Sequence, residues 1–199
     1  LAEAGYNFYA LGGAERLRDA RLTLTSGRVV VLVSAMPFKC PAAPYEAAML
    51  LEDDFRKRKL RDRTEFALYT PEPGPMPVAG PEVSGQLRRI IEAKGIGFHP
   101  EHTVAQVEPS TRRITFTNDA TTAFDLLAYV PPHRVPRVIT DSGLAGASGW
   151  IPVDRKTLET RFPNVYAIGD VTGIPLAMGK PLPKAGVLAH GEAEVVVNN

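Results

Sequence analysis

The stretch Arg28-Val-Val-Val-Leu-Val-Ser34 decides the fold of this chain. Its five consecutive branched or apolar residues, Val29 to Val33, predict a strand that is buried on both faces, as in a parallel sheet flanked by helices. An amphipathic helix is predicted over 43–59, and Thr64-Glu-Phe-Ala-Leu-Tyr-Thr70 is predicted to be a second strand. Residues 28–70 therefore indicate a strand, a helix and a strand joined by a parallel crossover.

The α/β alternation continues on both sides of this unit. A short polar helix is predicted over 15–22 and an amphipathic helix over 82–94. Turn residues separate short predicted strands at 97–100, 103–107, 113–117 and 124–130. Residues 133–152 are glycine-rich and irregular, and they are followed by a predicted strand over 164–168 and by a helix that begins near Pro183. The fold class is therefore α/β, with a Rossmann-like unit at its centre.

The composition excludes several classes of function. The 199 residues are 44% hydrophobic and 23% charged, which is typical of a soluble globular protein. A net charge of +1 gives no electrostatic case for a nucleic-acid partner. No apolar run reaches the roughly 18 residues of a bilayer span, and no signal peptide is evident, so we expect a soluble or peripherally membrane-associated protein. The chain opens at Leu1 and stops within a predicted helix, and we expect it to be a piece of a longer protein.

The turn after the first strand lacks the glycines of a dinucleotide-binding loop. No glycine occurs between Val33 and Tyr45, and the turn holds prolines instead. Such a turn cannot bring backbone amides close to a pyrophosphate, which predicts poor binding of NAD. Glu72 stands just past the second strand, where an acid would bind the adenosine ribose, but without the glycines we do not assign it that role.

Cys40 is the only cysteine, which excludes an intrachain disulfide and a multi-cysteine metal site. It lies in the loop between the first strand and the following helix, where ligands collect and where thiolates are stabilised. Lys39 beside it adds a positive charge. Two interpretations stay open, a nucleophilic or redox cysteine and a cysteine packed as a small apolar side chain.

Two segments near the carboxyl end carry candidate binding residues. The predicted strand 164–168 leads into Gly169-Asp170, so that the carboxylate at its tip could accept hydrogen bonds from a polyol; an Asx-turn or helix cap is the alternative. In Pro183-Lys-Ala-Gly-Val187, the free amides at the start of a helix could face an electron-rich ring or a carbonyl, and an ordinary surface helix is the alternative. His99 and His102 form a pair without a third ligand, which we interpret as a solvated loop, and no metal site is predicted.

Three segments together carry a resemblance to a known family. They are Phe38-Lys-Cys-Pro-Ala-Ala-Pro-Tyr-Glu46, Val165-Tyr-Ala-Ile-Gly-Asp170 and Pro183-Lys-Ala-Gly-Val-Leu-Ala-His-Gly-Glu-Ala193. The chain resembles the sulfide:quinone oxidoreductase and flavocytochrome c sulfide dehydrogenase branch of the pyridine nucleotide-disulfide oxidoreductases. The A-x-G-D pattern is common to the whole superfamily, whereas the Lys-Cys-Pro and Pro-Lys-Ala-Gly segments narrow the resemblance to this branch.

The resemblance implies a three-part layout. Residues 1–20 are expected to be a linker from an FAD-binding segment outside this chain, residues 21–130 an inserted, NAD-binding-like Rossmann domain with three layers, and residues 131–199 the carboxyl-terminal part of a split FAD-binding domain. It also implies site residues. Cys40 is expected to be catalytic, as half of a redox pair that takes sulfur from sulfide. The residues expected to bind FAD are Gly169 and Asp170, at its ribityl chain, and Lys184, Ala185, Gly186 and Val187, at its pyrimidine ring.

The resemblance further implies the reaction and its partners. Sulfide is the expected substrate, and electrons pass through FAD to a quinone or a cytochrome without use of NAD(H). Membrane contact is expected only through segments outside this chain. Because the 199 residues contain neither a glycine-rich FAD phosphate loop nor a partner for Cys40, we expect the isolated chain to hold FAD weakly and to be inactive. The alternatives are an NAD(P)H-dependent flavin reductase, such as a type II NADH dehydrogenase or a ferredoxin reductase, and a non-catalytic binding module.

Overall fold

The computed structural model describes residues 1–177 and 179–199. The chain divides into two compact units. The first consists of Leu1–Met36 and Ala42–Pro132, and the second of Pro37–Pro41 and His133–Asn199. The short segment 37–41, which includes Cys40, therefore belongs with the carboxyl-terminal part of the chain, although it interrupts the first unit in sequence.

The first unit contains a parallel sheet, a smaller antiparallel sheet and three helices. In chain order its elements are β1 (Tyr6–Asn7), α1 (Leu11–Thr23), β2 (Gly27–Val33), α2 (Ala43–Lys57), β3 (Thr64–Tyr69), α3 (Pro81–Ala93), β4 (Ile96–His99), β5 (Val104–Glu108), β6 (Arg113–Phe116), β7 (Thr121–Ala123) and β8 (Leu126–Val130). The parallel sheet has the strand order β1-β8-β2-β3-β4, and the antiparallel sheet has the order β5-β6-β7.

The central strand β2 shows why these residues form three layers. Because successive side chains of a strand point to opposite faces, Val29 and Val31 pack against the helices, whereas Val30 and Leu32 pack toward the antiparallel sheet. All four side chains are at most 1% exposed. The apolar run in β2 is thus explained by burial on both faces, and the predicted α/β, Rossmann-like three-layer fold is confirmed.

The helix and strand predictions in this unit agree with the structure to within a few residues at most ends. The largest shifts are at α1, which begins four residues before its predicted start at residue 15, and at the predicted strand 124–130, which begins at Leu126 as β8. Residues 1–20 were predicted to be a linker, and in the structure they pack against the rest of the first unit. Tyr6 pairs with Ala128 of β8, and Leu17 is buried in the core between the helices and the sheet.

The second unit has little regular secondary structure. Its described residues form the helices α4 (Arg137–Asp141) and α5 (Gly186–Val197) and a 3-10 turn over Gly169–Val171. The predicted strand over 164–168 is wrong, because within the described part of the unit only Tyr166 forms a bridge there, with Glu159. A strand needs a continuous neighbour for its backbone hydrogen bonds, and a single bridge does not supply one. Across residues 1–177 and 179–199, no helix combines the length and apolar character needed to cross a membrane.

Candidate functional site

Cys40 is exposed and lies in the second unit, in the loop that follows β2 in the chain. Its φ angle is 56°, in the left-handed region that non-glycine residues seldom adopt. The backbone N–H of Cys40 donates a hydrogen bond of 2.7 Å to the carbonyl oxygen of Lys184, next to the start of α5. The fold therefore brings the cysteine loop to the Pro-Lys-Ala-Gly segment. The exposure does not fit a cysteine packed as a small apolar side chain.

Lys184 connects the parts of this site. The residue is only 6% exposed, and its Nζ donates hydrogen bonds of 2.8 Å to the carbonyl oxygens of Asp170 and Thr172. The same ammonium group lies 3.5 Å from the centre of the Trp150 ring, a cation-π contact. Burial lowers the pKa of Lys184, and the nearby carboxylates of Asp170 and Glu192 oppose this effect. The ammonium is thus engaged within the chain, where it ties the Asp170–Thr172 turn to the beginning of α5.

The Gly169-Asp170 turn packs against α5. Gly169 has a φ angle of 72°, and its N–H donates a hydrogen bond to the Glu192 carboxylate. A Cβ atom at this position would lie 3.3 Å from the Cβ of Ala189, so the turn approaches the helix more closely than a larger residue easily allows. The side chain of Asp170 is exposed beside this contact. The positive φ angle and the close contact with Ala189 both explain why residue 169 is a glycine.

The amino-terminal end of α5 is open. Ala185 precedes the helix in an extended conformation, and its side chain provides no cap. Gly186 and Val187 form the first turn, where Val187 is 79% exposed. First-turn amides have no acceptor within their own helix, and they lie at the positive end of the helix dipole. These amides can therefore donate hydrogen bonds to a carbonyl or another electron-rich group from outside the chain.

His133 is a member of this site that the sequence analysis missed. The backbone N–H of Lys39 donates a 3.2 Å hydrogen bond to Nδ1 of His133, across 94 residues of sequence. Burial lowers the pKa of His133; Lys39 and Lys184 lower it further, and Asp170 opposes them. A single histidine after two prolines carried no pattern that could have indicated this contact.

The remaining candidates lie in the first unit and have other roles. His99 and His102 are half-buried beside Tyr69, with the His99 ring stacked 4.3 Å from the Tyr69 ring, so the interpretation as a solvated loop is wrong. These aromatic neighbours explain the partial burial, since each ring covers the next. Among the described residues, no group of three or more potential metal ligands comes together.

Glu72 is buried among side chains of the first unit. Its carboxylate accepts hydrogen bonds from the hydroxyl groups of Tyr45 and Thr70, and it is 4% exposed. Burial and the adjacent Glu72 charge raise the pKa of Tyr45, so this hydroxyl stays protonated and keeps its hydrogen bond at all physiological pH values. Because the Glu72 carboxylate is buried and bonded to these two hydroxyl groups, it is not available to solvent or to a ribose hydroxyl group.

The comparisons with known proteins agree with one another. Residues 58–193 match the family model described as pyridine nucleotide-disulphide oxidoreductase. The chain is 31% identical over 182 residues to the mitochondrial sulfide:quinone oxidoreductase of Schizosaccharomyces pombe, a match that covers 87% of this chain and 38% of that protein. The chain spans about two fifths of the length of the curated relatives named sulfide:quinone oxidoreductase that it matches.

Two solved structures show the same fold at lower identity. The sulfide:quinone oxidoreductase of Aquifex aeolicus superposes on this chain with a TM-score of 0.74 at 20% identity. The match covers all of this chain and 51% of the Aquifex chain. The NAD-dependent persulfide reductase of A. fulgidus superposes on this chain with a TM-score of 0.66 at 18% identity. The match covers 98% of this chain and 34% of the reductase chain. Together with the family match over more than half of its residues, these findings show that the chain belongs to the pyridine nucleotide-disulphide oxidoreductase family, where it is similar to the sulfide:quinone oxidoreductases.

Proposed function

We propose that this chain is part of an FAD-dependent enzyme that oxidises sulfide and passes the electrons to a quinone or a cytochrome. The observation that carries the proposal is the exposed Cys40, joined by its backbone to Lys184 at the open end of α5. The similarity to proteins named sulfide:quinone oxidoreductase supports the choice of sulfide as the substrate. The redox pair implied for Cys40 is a chemically suitable partner for sulfide, because hydrosulfide attacks one sulfur of a disulfide and releases the other as a thiolate.

The residues of the second unit fit contacts to FAD. The uncapped amides of Gly186 and Val187 suit an electron-rich ring edge, and the exposed carboxylate of Asp170 suits hydroxyl groups of a ribityl chain. Gly169 keeps the Asp170 turn close to α5. FAD, when bound, supplies an acceptor for two electrons.

Cys40 provides one of the two sulfurs of the redox disulfide that sulfide attacks in this proposal. The thiolate is the form in which a cysteine takes part in disulfide exchange. The 199 residues contain one cysteine, so the redox pair that the family resemblance implies takes its second thiol from another segment. Sulfide then opens the disulfide of that pair, leaving one sulfur atom on a cysteine and one free thiolate.

An NAD(P)H-dependent reductase is the second candidate, because one similar fold is that of an NAD-dependent persulfide reductase. Two observations favour the sulfide reaction over it. The loop between β2 and α2 contains no glycine that would let backbone amides approach a pyrophosphate. Glu72 is buried against Tyr45 and Thr70, so it is not available to a ribose hydroxyl.

The test uses the full-length protein that carries this chain, loaded with FAD. Sulfide added without oxygen is expected to bleach the flavin absorbance of the wild type, and Cys40→Ser is expected to slow this reduction by at least about a hundredfold. Dithionite must bleach both proteins equally, which controls for flavin loss. Rapid sulfide-dependent bleaching in Cys40→Ser would contradict the proposal. Bleaching by NADH without sulfide would favour the second candidate, and no response to either reagent would favour a non-catalytic binding module.

A further inference from the structure

Two consecutive backbone amides hold the cysteine loop. The N–H of Lys39 donates to Nδ1 of His133 at 3.2 Å, and the N–H of Cys40 donates to the carbonyl oxygen of Lys184 at 2.7 Å. Between these two anchors, Cys40 adopts its left-handed conformation with φ of 56°. A non-glycine residue stays in this region only when its surroundings fix it there, so both anchors contribute to the placement of the thiol.

The first of these anchors requires a neutral imidazole. A backbone N–H can only donate, so Nδ1 of His133 has to accept, and the ring proton then lies on Nε2. A proton added at Nδ1 would turn this acceptor into a second donor facing the Lys39 amide. The charged groups around the ring are Lys39, Lys184 and Asp170, and together with burial they hold the pKa of His133 below its ordinary value. The neutral, anchoring form is thus the prevailing one at neutral pH.

We propose that His133 is a positioning residue for Cys40, because the neutral ring fixes the Lys39 amide and thereby the orientation of the thiol. A proton that binds at Nδ1 removes the acceptor, and the loop at residues 39–40 loses this anchor, while the pairing of Lys39 with Lys184 remains. The effect of His133 on catalysis rests on the proposed function, whereas the hydrogen bond between Lys39 and His133 does not depend on it. His133 does not contact substrate in this proposal and acts only through the loop.

The direct test measures amide hydrogen exchange at Lys39 and Cys40 by NMR in the 199-residue chain. In the wild type, the Lys39 amide is expected to be protected at neutral pH, and its protection factor is expected to fall about tenfold once His133 is protonated. His133→Asn keeps an acceptor oxygen that does not titrate, so protection should persist at acid pH. His133→Leu offers no acceptor and should lose the protection at every pH. His190→Asn is the matched control, because His190 is an exposed histidine of the same unit.

The full-length protein supplies the functional readout. His133→Leu is expected to slow sulfide-dependent flavin reduction about tenfold at neutral pH. His133→Asn should match the wild type there and should decline less steeply than the wild type at acid pH, because protonation of hydrosulfide slows both proteins alike. If sulfide does not reduce the wild-type flavin, the proposed function fails, and the exchange experiment still decides the role of His133. Equal protection of the Lys39 amide in His133→Leu and wild type would overturn the inference, as would an acid loss of protection in His133→Asn. Should His133→Leu not fold, the comparison of His133→Asn with wild type across pH gives the same decision.

Discussion

At the scale of the residue, Lys184 is the unusual feature of the second unit. Moving an ammonium group out of water is unfavourable unless polar groups replace its hydration. Here two carbonyl oxygens and the face of Trp150 surround the Nζ atom. The arrangement explains how a lysine at 6% exposure remains acceptable to the fold.

Lys184→Met is expected to destabilise the second unit. Methionine has a similar length but cannot donate a hydrogen bond, so the carbonyl oxygens of Asp170 and Thr172 lose their donor. Leaving buried acceptors unsatisfied costs about 1–3 kcal/mol. The loss can be measured by urea unfolding followed through the fluorescence of Trp150, the single tryptophan. Lys156→Met, at an exposed lysine of the same unit, is the control and should change the unfolding midpoint very little. Equal midpoints for the two variants would show that the buried hydrogen bonds contribute nothing.

At the scale of the element, α2 shows how a helix is fixed by its buried face. Phe55 is fully buried, its ring meets that of Phe66 edge-on with 5.4 Å between the centroids, and the Arg58 guanidinium lies over it. Leu50 on the same helix is 70% exposed. The helix therefore has one face that packs against the parallel sheet and one that faces solvent.

Substitutions on the two faces of α2 should differ strongly in their effect on the free energy of unfolding. Phe55→Ala removes a ring from the packed core and leaves a cavity, which we expect to lower the free energy of unfolding by about 3–5 kcal/mol. Leu50→Ala should stay within about 0.5 kcal/mol of wild type, since its side chain is already in water. Chemical denaturation monitored by far-ultraviolet circular dichroism measures both values. A loss for Leu50→Ala as large as that for Phe55→Ala would mean that the assignment of the packed face is wrong.

The elements differ in how far the sequence could predict them. β2 and α2 were predicted because burial on two faces and burial on one face each leave a distinct apolar pattern. The stretch 164–168 has the apolar composition of a strand, but a strand also depends on a neighbour, which composition does not contain. Cys40 could be singled out because of its loop. The contact of His133 with Lys39 joins residues 94 positions apart and follows no local pattern, so only the fold reveals it.

At the scale of the whole molecule, each unit contains a histidine that the folded chain keeps neutral. In the first unit, burial lowers the pKa of His99, with further lowering by His102 and Arg28, while Glu65 opposes them. In the second unit, burial together with Lys39 and Lys184 lowers the pKa of His133. In the unfolded chain both histidines titrate near their ordinary pKa of about 6.5. Acid therefore favours the unfolded state of both units, since unfolding lets each ring take up a proton.

The stability of the chain is accordingly expected to fall as the pH decreases through about 6.5, and the loss should end once the folded-state pKa values are passed. His99→Phe keeps a ring against Tyr69 but cannot be protonated, so its urea midpoint should change less with pH than that of wild type. The double variant His99→Phe, His133→Asn should be the least sensitive. A pH range above about 5 keeps carboxylate titration small, and His190→Asn controls for an exposed histidine. If the double variant lost as much stability as wild type over this range, neither histidine would be linked to folding.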